Sequence, residues 1–192
     1  MSDNLSHQGK RPERRGRFGG PVGEFVITLV VAFVLVFGVV RPFIVEAYRI
    51  PSASMEPTLM VGDRVLANKF IYRFEPPKRG QIVIFKDPNG SGEDLIKRVV
   101  GVAGDTIQIK HGVLYVDGVA QKEPYIHKNP CVPGRPRTCS FGPVKVPPDH
   151  FFAMGDNRAN SFDSRFFGPV PDSDLQGEAF LIFWPPGQVR WL

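Results

Sequence analysis

Residues 25–45, FVITLVVAFVLVFGVVRPFIV, form the only long apolar run in the chain and limit what it can fold into. Residues 25–40 carry no charge; Arg41 and Pro42 follow. At about 1.5 Å rise per residue, a helix of this length spans roughly 31 Å, one hydrocarbon core. A helix buried in a soluble domain should show a polar face, and only Thr28 and Gly38 relieve this one. A cleaved signal peptide is the stronger alternative, because Ser52-Ala53-Ser54 has a small-x-small pattern. Arg41, Pro42, Glu46 and Arg49 separate that pattern from the apolar run, which is also long for a signal-peptide core. An uncleaved anchor over 23–45 is favoured, its helix stopping near Val40 ahead of Pro42.

The flanks set an orientation. Lys10, Arg11, Arg14, Arg15 and Arg17 outweigh Asp3 and Glu13 in the basic head, residues 1–22, whereas only Arg41 and Arg49 closely follow the span. The positive-inside rule then places the N-terminus in the cytoplasm and residues 46–192 outside. The net charge of +5 lies mostly in that head, too little elsewhere for a nucleic-acid face. Outside the cytoplasm, Cys131 and Cys139 read as a disulfide closing the loop VPGRPRT. Two free thiols are the alternative. A zinc site is disfavoured, with only His127 nearby, and no metal or cofactor is expected.

Beyond residue 46 no convincing amphipathic helix appears, and 20 Gly with 19 Pro suit a turn-rich β structure. Short β-type runs do appear: DRVLANKFIY, GQIVIFKD, LIKRVVGV, DTIQIKHGVLYVDG, HFFAMGD and GEAFLIFWP. His111-Gly112 reads as a tight hairpin turn, followed by another at Asp117-Gly118. Residues 122–148, rich in Pro, read as an irregular insertion stapled by the cysteines. The expected fold is mainly β, with one N-terminal transmembrane helix and one outer domain over 46–192.

Chemistry is harder to place. No G-x-S-x-G elbow or H-E-x-x-H helix is present. The four histidines read as surface or turn residues, so another group must activate a serine if the chain is a hydrolase. Lys97 is the candidate. Strand alternation puts it on one face with Leu95 and Val99, and Arg98 on the other with Ile96 and Val100. An apolar face lowers a lysine's pKa, and a neutral amine can take a serine proton; a guanidinium cannot. By itself, Lys97 reads far more readily as a solvated edge-strand lysine, and Ser54, one of nine serines, is an equally weak signal.

The segments SMEPTL, GDRVLANK, KRVVGVAGD and GDNRANSFDSRFFGPV follow the anchor in this order. Together they resemble the four boxes of the bacterial type I signal peptidases, membrane-bound Ser-Lys endopeptidases, over roughly residues 49–170. The resemblance implies a β-rich catalytic core, with Ser54 as nucleophile and Lys97 as general base. It implies that Ser52 completes an oxyanion hole with the Ser54 N–H, and that Ser161 hydrogen-bonds the lysine amine. Asp156, Asp163 and Arg165 match residues that shape the site, with Arg98 a partner for Asp156; Gly155 and Gly168 permit tight backbone. Ile50, Pro51, Met55, Leu59, Leu95 and Ile96 would line a shallow pocket for small side chains. Ala103 stands where the family often has proline, and Ala53 where it often has glycine.

The partners implied are preprotein signal peptides, with small residues one and three positions before the cut, and the lipid bilayer. The resemblance also implies a bacterial inner membrane; the single crossing is read from the one apolar run, because some relatives carry two anchors. Phe183, Trp184 and Trp191 read equally as lipid-interface anchors and as ordinary packing. Two rivals remain: another Ser-Lys protease, and a membrane-tethered β domain with no catalytic activity. The first, if a repressor type, should carry a DNA-binding head, for which residues 1–20 are too short.

Overall fold

The computed structural model describes residues 20–40, 44–127 and 131–192. The basic head over 1–19, residues 41–43 and residues 128–130 of the insertion lie outside the described residues. Two compact units emerge, Met1–Val40 and Arg41–Leu192.

In the first unit, α1 (Pro21–Leu35) has Pro at its first turn, where a missing N–H costs nothing, and runs into a π-helical turn, Val36–Val40. None of the α1 side chains is buried. Pro21–Gly38 has a mean hydropathy of 2.3 and is long enough to cross a membrane. The expected anchor ran to Val45, but Val45 already belongs to a strand. It pairs with Asn68, so cross-strand hydrogen bonds, not the helix, satisfy its backbone.

Among the described residues, the second unit has twelve strands: β1 (Val45–Arg49), β2 (Arg64–Asn68), β3 (Ile82–Lys86), β4 (Asp94–Gly101), β5 (Thr106–Lys110), β6 (Val113–Val116), β7 (Val119–Ala120), β8 (Ser140–Lys145), β9 (His150–Met154), β10 (Val170–Pro171), β11 (Leu175–Trp184) and β12 (Arg190–Trp191). Its α-helices are single turns, α2 (Pro136–Cys139) and α3 (Ser164–Phe167). The large sheet runs β1-β2-β11-β3-β4-β9-β10, with β12 on β11, and the small one β7-β6-β5-β8; every pairing is antiparallel.

Sequence and backbone agree at the hairpins. His111 and Gly112 have φ of 50° and 80°, and Asp117 and Gly118 have 52° and 78°, the doubly positive turns that match strand twist. The insertion is less irregular than expected. Ser140–Lys145 contains Gly and Pro, yet it pairs with β5, and Phe141 and Val144 pack on the small-sheet core. Tertiary pairing overrides weak propensity there.

The large sheet is covered on both faces, which is why Ile82 to Phe85 of β3 are all buried rather than alternating. One face carries Ile50, Met55, Leu59, Val65, Ile84, Ile96 and Ile182. The other carries Val83, Phe85, Val99, Phe151 and Ala153, with Phe85 and Phe151 edge to face at 5.3 Å. β4 crosses the middle of this arrangement, and Lys97 lies at its centre.

Candidate active site

Ser54 lies in a one-turn 3-10 segment, Ala53–Met55, entered from extended Ser52 shortly after β1. Fully buried Met55 and Leu59 pin the turn into the core from below. From above, Asn157 holds it twice: its N–H donates to the Ser54 carbonyl at 3.1 Å and its side-chain amide to Ala53 O at 3.0 Å. Ser54 is left 7% exposed, with Ser52 Oγ 3.3 Å from its own Oγ.

Lys97 reaches the same point from β4. Its Nζ lies 2.9 Å from Ser54 Oγ and donates to Ile96 O at 2.9 Å, and the residue is 3% exposed. Burial drives its pKa down from the usual lysine range to about 8, only partly opposed by the negative charge of Asp163. An amine so placed is neutral in an appreciable fraction near pH 8 and can accept a hydroxyl proton.

Around the pair runs a frame of buried ions. Asp163 caps α3, accepts from Gly155 N at 3.0 Å and holds the Arg165 guanidinium through two 2.8 Å hydrogen bonds. Asp156 accepts from Arg98 at 2.9 and 2.7 Å and from Thr58 Oγ1 at 2.5 Å, tying β4 to the segment after Ser54. Gly155 is required by close approach. A Cβ there would lie 2.3 Å from Ser161 Oγ and 2.4 Å from the Ser54 carbonyl oxygen.

Residues 22–184 match the family described as signal peptidase, peptidase S26. The chain belongs to that family. "Probable signal peptidase I-2" of Synechocystis sp. is 41% identical over 170 residues, 86% of this chain and 74% of the relative. "Signal peptidase I" of Leptolyngbya laminosa is 42% identical over 176 residues, 88% of this chain and 83% of its own. That of Bacillus amyloliquefaciens is 39% identical over 171 residues, 87% and 90% of the two chains. This chain is thus a type I signal peptidase, a serine peptidase, with one N-terminal helix long and apolar enough to cross a membrane.

Several expectations meet a different geometry in this signal peptidase. Ser161 was expected on the lysine amine, but its Oγ is buried without a hydrogen-bond partner, and Lys97 bonds Ser54 and its own strand instead. Of the six expected pocket residues, Ile50, Met55 and Leu59 are at most 1% exposed and fill the core with Val65 and Ile182; Ile96 joins the same cluster, Pro51 is exposed, and Leu95 packs against the opposite-face cluster of Val83, Phe85 and Val99. Arg98 does pair with Asp156, and Cys131 and Cys139 are disulfide-bonded.

Sequence reasoning overlooked Asn157, Arg158, Glu123 and Tyr125. The Arg158 Nε donates to Gly155 O at 3.0 Å while its Nη1 donates to Glu123 at 2.9 Å, both side chains being almost fully buried. Tyr125 lays its ring 4.0 Å from the Arg98 guanidinium and donates its hydroxyl to Glu123. Two residues at the start of the insertion thus brace the arginines behind the Gly155-Asp156 turn. Asn157 and Arg158 stand within GDNRANSFDSR, whose density of polar residues was the available signal; nothing in sequence joined Glu123 to them.

Proposed function

We propose that Ser54 is the nucleophile and Lys97 the general base with which this chain removes signal peptides from exported preproteins. The buried 2.9 Å contact between Lys97 Nζ and Ser54 Oγ carries the reading. Neutral Lys97 takes the Ser54 hydroxyl proton as the oxygen attacks the carbonyl carbon before the scissile bond. The tetrahedral intermediate collapses, and the departing amine of the mature protein takes that proton from Lys97. Water then attacks the acyl-enzyme, giving a proton to Lys97, and the Ser54 hydroxyl recovers it as the signal peptide leaves. Ser52 Oγ and the Ser54 N–H are assigned to the oxyanion. Asp163, Arg165, Asp156 and Arg98 hold the surrounding backbone, and Ser161 is assigned to orient the amine once substrate is bound.

Specificity for small residues one and three positions before the cut is assigned to the shallow surface of Pro51 and Ile96 beside the packed Ile50, Met55 and Leu59. Little depth remains there for larger side chains. The N-terminus is placed in the cytoplasm and the catalytic domain outside a bacterial inner membrane, from the basic residues ahead of α1.

Lipid contact is assigned to the apolar surface of Met60, Val61, Trp184, Val189 and Trp191, each at least 42% exposed. Arg190 ties this surface together, donating to Thr58 O at 2.6 Å.

The test incubates the detergent-solubilised full chain with a preprotein, beside Ser54→Ala and Lys97→Met. Mass spectrometry should find one cut after a small-x-small pattern, lost in both variants. Undiminished cutting by either folded variant would refute the dyad.

A further inference from the structure

We propose that the cavity between the disulfide-closed loop and the segment around Ser161 binds an acidic side chain of the preprotein, in the first residues after the cut. The inference rests on the signal-peptide reading above and adds a specificity site to it. The cavity has a volume of about 340 Å³. Its walls are Arg135, Pro136 and Arg137 from the loop, and Arg158, Ser161 and Phe166 from the catalytic segment.

Charge selects the occupant. Arg158 is neutralised by Glu123, and Arg165 behind the wall by Asp163. Among the described residues, neither Arg135 nor Arg137 lies within 4.0 Å of a carboxylate. Arg137 donates to the Arg165 carbonyl and lies 5.1 Å from the Phe166 ring centre, so its guanidinium is oriented but its charge is unmatched. Two unpaired cations over an apolar wall fit a side chain with a short methylene stem and a terminal carboxylate.

Position selects the part of the substrate. Ser161 lines the cavity, and its Oγ and the Ser54 carbonyl oxygen both approach within 2.4 Å of a single point beside Gly155. The cavity therefore abuts the turn that carries Ser54. It shares no residue with the Pro51 and Ile96 surface assigned to the residues before the cut. The polypeptide that follows the cut is the polar part of a preprotein and remains to be accommodated.

The test measures kcat/KM for preproteins differing only by Glu, Gln or Lys at each of the first three positions after the cut. The wild-type full chain in neutral detergent should cut the Glu substrate about five- to tenfold better than the Lys substrate at one of these positions, with Gln between. Arg135→Glu, at an exposed residue, should reverse the order at that position alone. Raising salt should shrink the wild-type preference, which checks the ion pairing without any variant. Equal rates at all three positions, or an order unchanged in active Arg135→Glu protein, would overturn the pocket while leaving the dyad standing. A preference seen only with anionic vesicles would assign the arginines to lipid headgroups and overturn it equally. Failure of the wild type to cut the Gln substrate would instead remove the signal-peptide reading itself.

Discussion

Lys97 Nζ stands 2.9 Å from Ser54 Oγ in surroundings that leave the lysine 3% exposed, and the contact and the burial act together. In water a lysine this close to a hydroxyl would be an ammonium and useless as a base. Here apolar surroundings remove much of that charge preference, bringing the amine to about 8. Activity should therefore rise with pH along a limb near 8, set by loss of the Lys97 proton. Lys97→Arg, whose guanidinium stays protonated, should abolish cutting. A pH-independent rate between 6 and about 10 would exclude Lys97 as the base.

The same burial has a cost in stability. The folded pKa lies below that of the unfolded chain, so between about 8 and 10.5 the unfolded state binds more protons. Stability contributed at this site therefore increases as pH rises through that window, and is lowest below it. Lys97→Met should be inactive yet more stable at pH 7, by a few kcal/mol at most (each pKa unit being about 1.4 kcal/mol). Denaturant melts at pH 7 and pH 10 decide this: the advantage of the variant should shrink at the higher pH.

Ser52→Ala should lower kcat by about 10²–10³, roughly 3–4 kcal/mol, the usual effect of one lost oxyanion donor. The Ser52 hydroxyl is exposed and 3.3 Å from Ser54 Oγ, so its removal leaves no cavity and the melting temperature should hold. Steady-state kinetics with an unchanged kcat would take Ser52 out of the mechanism.

Gly155→Ala tests the crowding behind the nucleophile. The new methyl would meet the Ser54 carbonyl oxygen at 2.4 Å, and backbone cannot rotate away as the Ser161 hydroxyl can. The Ser54 turn must shift, and a displacement near 1 Å costs about 10² in rate. A folded variant with wild-type kcat would mean that the turn is more compliant than its two Asn157 hydrogen bonds suggest.

Local chemistry was legible in the sequence and long-range pairing was not. The His111-Gly112 and Asp117-Gly118 turns and the face assignment of Lys97 follow from residue type and strand period alone. β1 was hidden because Val45 continues an apolar run that reads as helix, and only its partner Asn68 makes it a strand. β8 has no propensity to announce it; β5 supplies its reason to be extended. The packed state of Ile50, Met55 and Leu59 likewise depends on strands far away in sequence.

Glu123 is the residue on which the last prediction turns, because it lies in the insertion and yet braces the catalytic segment. Glu123→Gln removes the partner of a guanidinium that is almost fully buried, leaving an uncompensated charge, and should cost about 3–5 kcal/mol. Glu123→Gln combined with Arg158→Met leaves no unpaired charge, so most of that stability should return. Activity should not return with it. Arg158 Nε is the donor to Gly155 O, and methionine cannot replace it on the backbone that lies against Ser54. Thermal melts and kcat measured on the single and double variants separate the two effects. Recovery of both together would reduce the pair to a structural clasp, whereas recovery of stability alone makes Arg158 a positioning residue for Ser54.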